Sequence, residues 1–96
     1  MRITDLRAGM KRVEVKAKVV EIGAAREVMT KFGDVGRVAT AVISDESGSI
    51  KLALWNELIE RVSVGDTIHI ENGYVTTFRG ENQLNVGRYG KLTTVK

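Results

Sequence analysis

Aromatic side chains are concentrated in the second half of the chain, where their flat faces could stack on the rings of a ligand. The chain has one Trp, two Tyr and two Phe, and four of these five follow residue 54: Trp55, Tyr74, Phe78 and Tyr89. Each base of a single-stranded nucleic acid that stacks on such a ring contributes roughly 1–3 kcal/mol. A surface of this kind requires strands that hold the rings away from the core.

Residues 50–55 predict a strand that presents Trp55 on its outward face. The letters IKLALW alternate, so that Ile50, Leu52 and Leu54 share one face of the strand. Lys51 and Trp55 then lie on the opposite face, because successive side chains of a strand alternate. We therefore expect the only tryptophan to lie outside the core.

A second predicted strand begins over residues 67–71, with its two isoleucines inward. If this strand continued unbroken, Tyr74 and Phe78 would also point inward, because even positions would share one face. The Asn-Gly pair at 72–73 has the chemistry of a β-bulge, which reverses the alternation. We predict a bulge there, with both rings on the open face.

The first strand is predicted over residues 12–22, and its apolar alternation slips by one at Val19-Val20. A bulge at that point would let one long strand serve two sheets, as a small closed barrel requires. The remaining elements are a loop over 23–36, a strand over 37–44, a turn over 45–48, a helix over 56–62, a strand over 82–86 and a short polar tail over 88–96. We expect Asn56 to be the N-cap of the helix. In the tail, we expect Leu92 and Val95 to make a closing contact.

Five strands with a helix between the third and the fourth are the order of an all-β OB-fold, a partly open Greek-key barrel. This fold binds oligonucleotides or oligosaccharides over its second and third strands and over the loops between strands one and two and strands four and five. Trp55, Phe32, Phe78 and Arg79 map to that region. We expect residues 1–96 to form a single OB-fold nucleic-acid-binding domain.

Composition narrows the class of protein. Fifteen Lys and Arg against twelve Asp and Glu give a net charge of +3, and residues 1–37 hold the excess, with nine basic and five acidic side chains. Such a bias suits a polyanion partner. The chain has no cysteine, which excludes disulfides and thiolate metal sites. It also lacks an apolar run long enough for a membrane helix, so we expect a cytoplasmic protein with no membrane partner.

No enzyme signature is present. The sequence contains no phosphate-binding glycine loop, no nucleophile–His–acid set and no metal-ligand spacing. The only histidine, His69, alternates with two isoleucines and has no carboxylate cluster near it, so we expect a solvated strand residue. We therefore expect no catalytic residue, no metal and no other cofactor.

Three segments resemble the single-OB single-stranded DNA-binding proteins of archaea, namely DESGSIKLALW, VGDTIHIENGYVTTFRG and QLNVG. They are also similar to the simple metazoan SSB-type proteins and to the OB domains of archaeal replication protein A. The resemblance covers nearly the whole barrel and is most specific at Trp55, Tyr74 and Phe78. It implies that these three rings stack on successive bases, and that Asn85 forms hydrogen bonds where some relatives carry a further aromatic.

The resemblance also implies where and with what the protein works. The expected ligand is single-stranded DNA, bound with little sequence preference during replication, repair or recombination in the nucleoid-associated cytoplasm. Other replication or repair proteins, or further OB domains of the same protein, are expected partners. Archaeal relatives often carry a long C-terminal tail that residues 1–96 do not include, which leaves open a domain excised from a longer chain.

Cations complete the candidate site. Beside the three rings we include Phe32 as a loop contact and seven further residues as phosphate or hydrogen-bonding contacts: Lys51, Arg79, Asn85, Arg37, Lys31, Arg26 and Arg88. Two other functions stay open, a single-stranded RNA or tRNA-binding module and an OB domain that uses its aromatic face to bind a protein.

Overall fold

The computed structural model describes residues 2–29, 33–86 and 90–95, and within them the side chain of Phe78 is left out of the description. Nine elements follow one another in these ranges: a 3₁₀ turn (Ile3–Asp5), β1 (Val13–Ile22), β2 (Arg26–Met29), β3 (Val35–Ser44), β4 (Ser49–Trp55), α1 (Leu58–Arg61), β5 (Thr67–Phe78), β6 (Glu81–Asn85) and β7 (Lys91–Val95).

Five of the strands close into a ring. Their order is β1-β3-β4-β6-β5, and β1 pairs again with β5 to complete the circle. β4 and β6 are parallel, whereas the other neighbours in the ring are antiparallel. The short helix α1 lies between β4 and β5, which are the third and fourth of the five ring strands in chain order. The predicted five-stranded OB-fold is therefore confirmed.

The inward faces of the ring form one apolar core. In β4, Ile50, Leu52 and Leu54 are at most 9% exposed, which confirms the predicted alternation. Ile68 and Ile70 of β5 are fully buried against them. Burial of aliphatic side chains on both walls stabilises the barrel, since a fully buried Val, Leu or Ile contributes roughly 1.5–3 kcal/mol.

A bulge in β1 lets this strand join two neighbours. Val19 pairs with Ile43 of β3, but the next pair joins Glu21 to Val42, so Val20 is the extra residue. The pairs with β5 run from Val13 to Lys18 and those with β3 from Lys18 to Ile22, so the change of neighbour lies next to the bulge. The predicted bulge is confirmed, although Val20 is 51% exposed and does not extend the core.

A second bulge interrupts β5. Val15 pairs with Ile70 and Val13 pairs with Gly73, so three steps along β5 match two along β1. Asn72 takes the extra position with a φ of +56°, a left-handed conformation that Asn tolerates better than most residues. The predicted bulge at 72–73 is confirmed.

The bulge in β5 reverses which residues face the core. Ile68 and Ile70 are buried before it, and Val75 is 2% exposed after it. Tyr74, one position before Val75, is consequently 39% exposed. A single inserted residue thus moves this ring from the core side of the strand to the open side.

Two segments that we expected to be irregular are strands. Residues 26–29 form β2, which pairs with the start of β3 from Arg26 opposite Val38 to Met29 opposite Val35. The prediction of a loop over 23–36, with the next strand beginning at residue 37, was therefore wrong. Because β2 is exposed or half-buried throughout, backbone hydrogen bonds hold it and no apolar alternation marks it in the sequence.

The C-terminal tail is the second corrected segment. Residues 91–95 form β7, which pairs with the first half of β5 on the edge away from β1. Leu92 is 4% exposed and joins the core, so its predicted closing contact is confirmed, whereas Val95 is half-buried. One inward leucine between polar neighbours is too weak a pattern to predict a strand.

The helix is shorter than predicted, and Asn56 does not cap it. Asn56 lies before α1 with a φ of +51°. Its backbone N–H donates to the Arg37 carbonyl oxygen at 2.8 Å, and its Oδ1 accepts the Arg37 backbone N–H at 3.0 Å. The side chain therefore ends the β3–β4 ladder instead of starting the helix.

Asp45 organises the predicted turn between β3 and β4. Its Oδ1 accepts the Ser47 hydroxyl at 2.6 Å and the Ser47 and Gly48 backbone N–H groups at 2.7 and 3.2 Å. Its Oδ2 accepts the Ile3 backbone N–H at 2.9 Å, so the N-terminal 3₁₀ turn is tied across this end of the barrel. These hydrogen bonds, that of the Ser47 hydroxyl first, lower the pKa of Asp45 to about 2 against the opposing effect of burial.

Candidate nucleic-acid interface

The outward side chains of β3, β4, β6 and β5, continued by β2, form one surface of the barrel, which we call the open face. Residues that pair across neighbouring strands share a side of the sheet. Three rows of such residues cross the open face: Arg26, Val38 and Trp55; Thr40, Ala53, Asn85 and Tyr74; and Val42, Lys51, Gln83 and Thr76.

Trp55 stands at one end of the open face. It is the last residue of β4 and pairs with Val38 of β3, which is itself only 8% exposed. The indole is 36% exposed, so part of the ring is covered and part faces solvent. A large aromatic ring left in this state on a small domain is available for stacking.

Tyr74 provides a second exposed ring in the adjacent row. It is 39% exposed and pairs directly with Asn85 of β6. Trp55 lies two strands and two residues away from it, which corresponds to roughly 12 Å between the Cα atoms at ordinary sheet spacings. The two rings are thus too far apart to stack on the same planar group.

Short side chains fill the space between the two rings. Ala53 lies at the centre of the middle row and is only 2% exposed, and its cross-strand neighbour Thr40 ends in a small hydroxyl. Neighbouring side chains therefore cover Ala53, whereas Thr40 beside it is exposed. Sequence reasoning passed over Ala53 and Thr40, because nothing in their types marks them as part of a site.

Asn85 is held in place by its own amide. Its Nδ2 donates to the Thr76 hydroxyl at 3.0 Å and to the Gln83 carbonyl oxygen at 3.2 Å, and the residue is 9% exposed. Both N–H groups are thereby used within the protein, which leaves the carbonyl oxygen Oδ1 as the group that can accept a hydrogen bond from a base. Sequence reasoning did not identify Thr76 as the partner of Asn85, although Thr76 lies two residues after Tyr74 on the same face of β5.

The hairpin between β5 and β6 carries two further candidates. The backbone of Phe78 pairs with that of Glu81, and Arg79 and Gly80 between them have φ values of +52° and +80°. Two central residues with positive φ form the type I′ turn that suits the twist of a hairpin. The predicted turn is confirmed, whereas the predicted stacking ring of Phe78 lies outside the described part of the structure.

Lys51 lies on the open face, as predicted, and forms an ion pair there. Its Nζ is 2.7 Å from Glu81 Oε2, and both side chains are more than half exposed. Sequence reasoning did not include Glu81. Two features of the sequence could have indicated that Glu81 faces the same way. It directly follows the Arg-Gly turn, and it lies two and four residues before Gln83 and Asn85 in the same strand.

The two arginine candidates Arg26 of β2 and Arg37 of β3 lie on opposite sides of the sheet. Arg26 is exposed and lies opposite Val38, in the row of Trp55. Arg37 alternates with Val38 and therefore points to the other side of β3, where its guanidinium is 3.1 Å from Glu60 of α1. Lys31, Phe32 and Arg88, the remaining predicted contacts, lie outside the described residues.

His69 has carboxylates close to it, contrary to expectation. Its Nε2 is 2.8 Å from Glu14 Oε2 on β1, and its Nδ1 is 3.4 Å from Glu71 Oε1 two residues along β5. The contact with Glu14 depends on the pairing of β1 with β5 and is invisible in the sequence. His69 lies before the bulge, on the β1–β5–β7 side, away from the rows that define the open face.

Within residues 2–29, 33–86 and 90–95 no group of three or more His, Cys, Asp or Glu side chains is arranged to hold a metal ion. The one described α-helix is too short to cross a bilayer.

Comparison with known protein families gives a match over almost the whole chain. Residues 6–94 match the family described as single-stranded DNA binding protein Ssb-like, OB fold. The chain is similar to the single-stranded DNA binding protein Ssb of Saccharolobus solfataricus, with 35% identity over 91 residues that cover 95% of this chain and 61% of that protein. It is also similar to replication factor A of Methanothermobacter thermautotrophicus, with 33% identity over 95% of this chain and 12% of that protein.

A solved structure agrees with the sequence comparisons. The second OB-fold domain of replication protein A from Methanococcus maripaludis superposes with a TM-score of 0.82 at 26% identity, covering 100% of this chain and 94% of the domain. The chain thus corresponds to nearly all of that single domain but spans less than two thirds of the full-length relatives named above.

Proposed function

The chain belongs to the Ssb-like OB-fold family of single-stranded DNA-binding proteins, and on that basis we propose that it binds single-stranded DNA across the open face with little sequence preference. The observation that carries the proposal is the exposure of Trp55 and Tyr74, at 36% and 39%, on one surface of a barrel whose core is otherwise aliphatic. Every base has a π-face, so stacking on these rings recognises unpaired bases of any sequence.

The proposed binding mode combines rings and cations. Trp55, Tyr74 and Phe78 stack on successive bases, while Lys51, Arg79 and Arg26 contact the phosphate backbone. Asn85 Oδ1 accepts a hydrogen bond from a base beside the Tyr74 ring, since Asn85 and Tyr74 are directly paired. Duplex DNA hides its base faces within its own stack and therefore binds weakly to such a surface.

The cellular role follows from the ligand. We propose that the domain protects or organises single strands during DNA replication, repair or recombination at the nucleoid. We further propose that it works beside other replication or repair proteins, or beside further OB domains.

A fluorescence titration tests the proposal with an internal probe. Trp55 is the only tryptophan, so emission excited selectively from tryptophan reports on the open face. Oligo-dT should quench this emission and saturate at a few nucleotides per domain, whereas duplex DNA of equal length should quench far less. With about three phosphates contacted, log K should fall with log salt at a slope near −2, from roughly −0.7 per contact.

The same titration separates the other functions. Oligo-rU that binds as tightly as oligo-dT would favour an RNA-binding module, since no preference for the deoxyribose would then exist. A folded sample whose emission neither polymer changes at low salt would contradict nucleic-acid binding and would support a protein-binding role for the open face.

A further inference from the structure

On the open face, the cation in the row of Val42, Lys51, Gln83 and Thr76 already forms an ion pair with an anion of the same chain. Lys51 Nζ lies 2.7 Å from Glu81 Oε2, within the range of a charge-assisted hydrogen bond. A backbone phosphate of a strand that crosses this row would meet Lys51 at the same position. We propose that Glu81 competes with a DNA phosphate for Lys51 and thereby lowers the affinity for single-stranded DNA. This inference rests on the proposed function.

The surroundings of the ion pair suit an exchange of one anion for another. Lys51, Arg79, Glu81, Asn82 and Gln83 line one shallow cleft beside the β5–β6 turn. Two of these side chains are cationic and two carry amide donors, which is the chemistry of an anion site. Glu81 contributes the only carboxylate among the five lining residues.

The ion pair is weak enough for DNA to displace it. The Lys51 and Glu81 side chains are 51% and 61% exposed, so water and salt screen their attraction. Exposed ion pairs of this kind contribute little free energy. The cost of breaking the Lys51–Glu81 pair therefore lowers the DNA affinity by a factor of about two to five at most. The released carboxylate also remains close to the bound phosphate and repels it. Glu81 therefore tunes the affinity without preventing binding.

The chain contains a matched ion pair away from the open face. Arg37 and Glu60 approach to 3.1 Å and are 46% and 70% exposed, so the pair is comparable in exposure and charge. Arg37 alternates with Val38 and lies on the other side of β3 from Trp55. Removing the Glu60 charge changes the net charge of the protein by the same amount, without vacating a cation on the open face.

The test compares Glu81→Gln with Glu60→Gln by fluorescence anisotropy of labelled oligo-dT. Glu81→Gln should tighten binding about two- to fivefold at low salt. Glu60→Gln should give a smaller gain that reports net charge alone. In a Lys51→Met background, Glu81→Gln should give no more than this smaller gain, because its target is absent.

Specific outcomes overturn the inference. Equal gains from both glutamine variants would reduce the effect to net charge, and weaker binding by Glu81→Gln would assign Glu81 a supporting role instead. A gain that persists unchanged in the Lys51→Met background would exclude action through Lys51. If the unmodified chain fails to bind oligo-dT, the proposed function fails with the inference, whereas binding without a Glu81→Gln gain contradicts the inference alone.

Discussion

Gly73 and Asn85 approach each other so closely that a Cβ at Gly73 would crowd the backbone of Asn85. A Cβ added at Gly73 would lie 3.0 Å from the backbone carbonyl oxygen of Asn85 and 3.2 Å from Ile70 Cγ2. The contact occurs where β5 leaves β1 and begins to pair with β6, immediately before Tyr74. The bulge that exposes Tyr74 thus depends on a position without a side chain.

Gly73→Ala should therefore destabilise the domain. The backbone of β6 or the Ile70 side chain must move to admit the new methyl group, and overpacking of this kind typically costs about 1–3 kcal/mol. For a domain of this size each kcal/mol lowers the melting temperature by about 4–8 °C. Thermal unfolding followed by circular dichroism measures the change, and an unaltered melting temperature would show that the site accommodates a Cβ.

Removing single rings should separate stacking from simple charge attraction. Trp55→Ala, Tyr74→Ala and Phe78→Ala should each weaken oligo-dT binding by about 1–3 kcal/mol, the contribution of a stacked base. His69→Ala removes a ring from the same strand as Tyr74, but away from the open face, and should leave binding unchanged. Anisotropy titrations give the affinities. Silent ring variants beside damaging cation variants would disprove the stacking mechanism.

Cation variants should differ according to whether the altered side chain lies beside the open face or away from it. Lys51→Ala and Arg79→Ala should each make the dependence of log K on log salt less steep by about 0.7, because each removes one phosphate contact. Arg37→Ala should change the slope less, since Arg37 is paired with Glu60 on the opposite side of the strand. Titrations at four or five salt concentrations measure the slopes, and a full loss for Arg37→Ala would extend the interface around β3.

Stability should fall in acid because of Asp45. Its pKa is lowered to about 2 in the folded protein from 3.8, so the unfolded chain takes up a proton first as the pH falls. The stabilising contribution is fully present above about pH 5 and is lost progressively as the pH falls through about 4 towards 2. Denaturant unfolding at several pH values measures this loss. Asp45→Asn should be less stable at pH 7 and should show a smaller decline over the same window.

The alternation of side chains predicted much of the barrel, because burial on one face leaves a period of two in the sequence. Ile50, Leu52 and Leu54 are buried, and Trp55 is exposed, as their positions indicated. Both predicted bulges exist for the same reason, since each interrupts an alternation that the buried residues must recover. The element order that led to the OB-fold rests on these local patterns.

Some elements and contacts leave no two-residue period in the sequence, and only the tertiary structure shows where they form. β2 and β7 are held largely by backbone pairing at the margins of the barrel, and backbone hydrogen bonds carry no side-chain signature. Asn is a common helix N-cap residue, yet Asn56 contacts Arg37 instead, because β3 brings the Arg37 backbone N–H within hydrogen-bonding distance of its Oδ1.

The candidate site divides in the same way. The sequence by itself determined which residues can stack and which carry charge, and the period of two assigned Trp55 and Lys51 to one face. The register of the β5–β6 hairpin placed Tyr74 beside Asn85, whereas only the tertiary structure brought Lys51 beside Glu81 and Arg37 beside Glu60. These two ion pairs join elements distant in the chain, and a local pattern cannot encode a contact whose geometry depends on how the elements pack together.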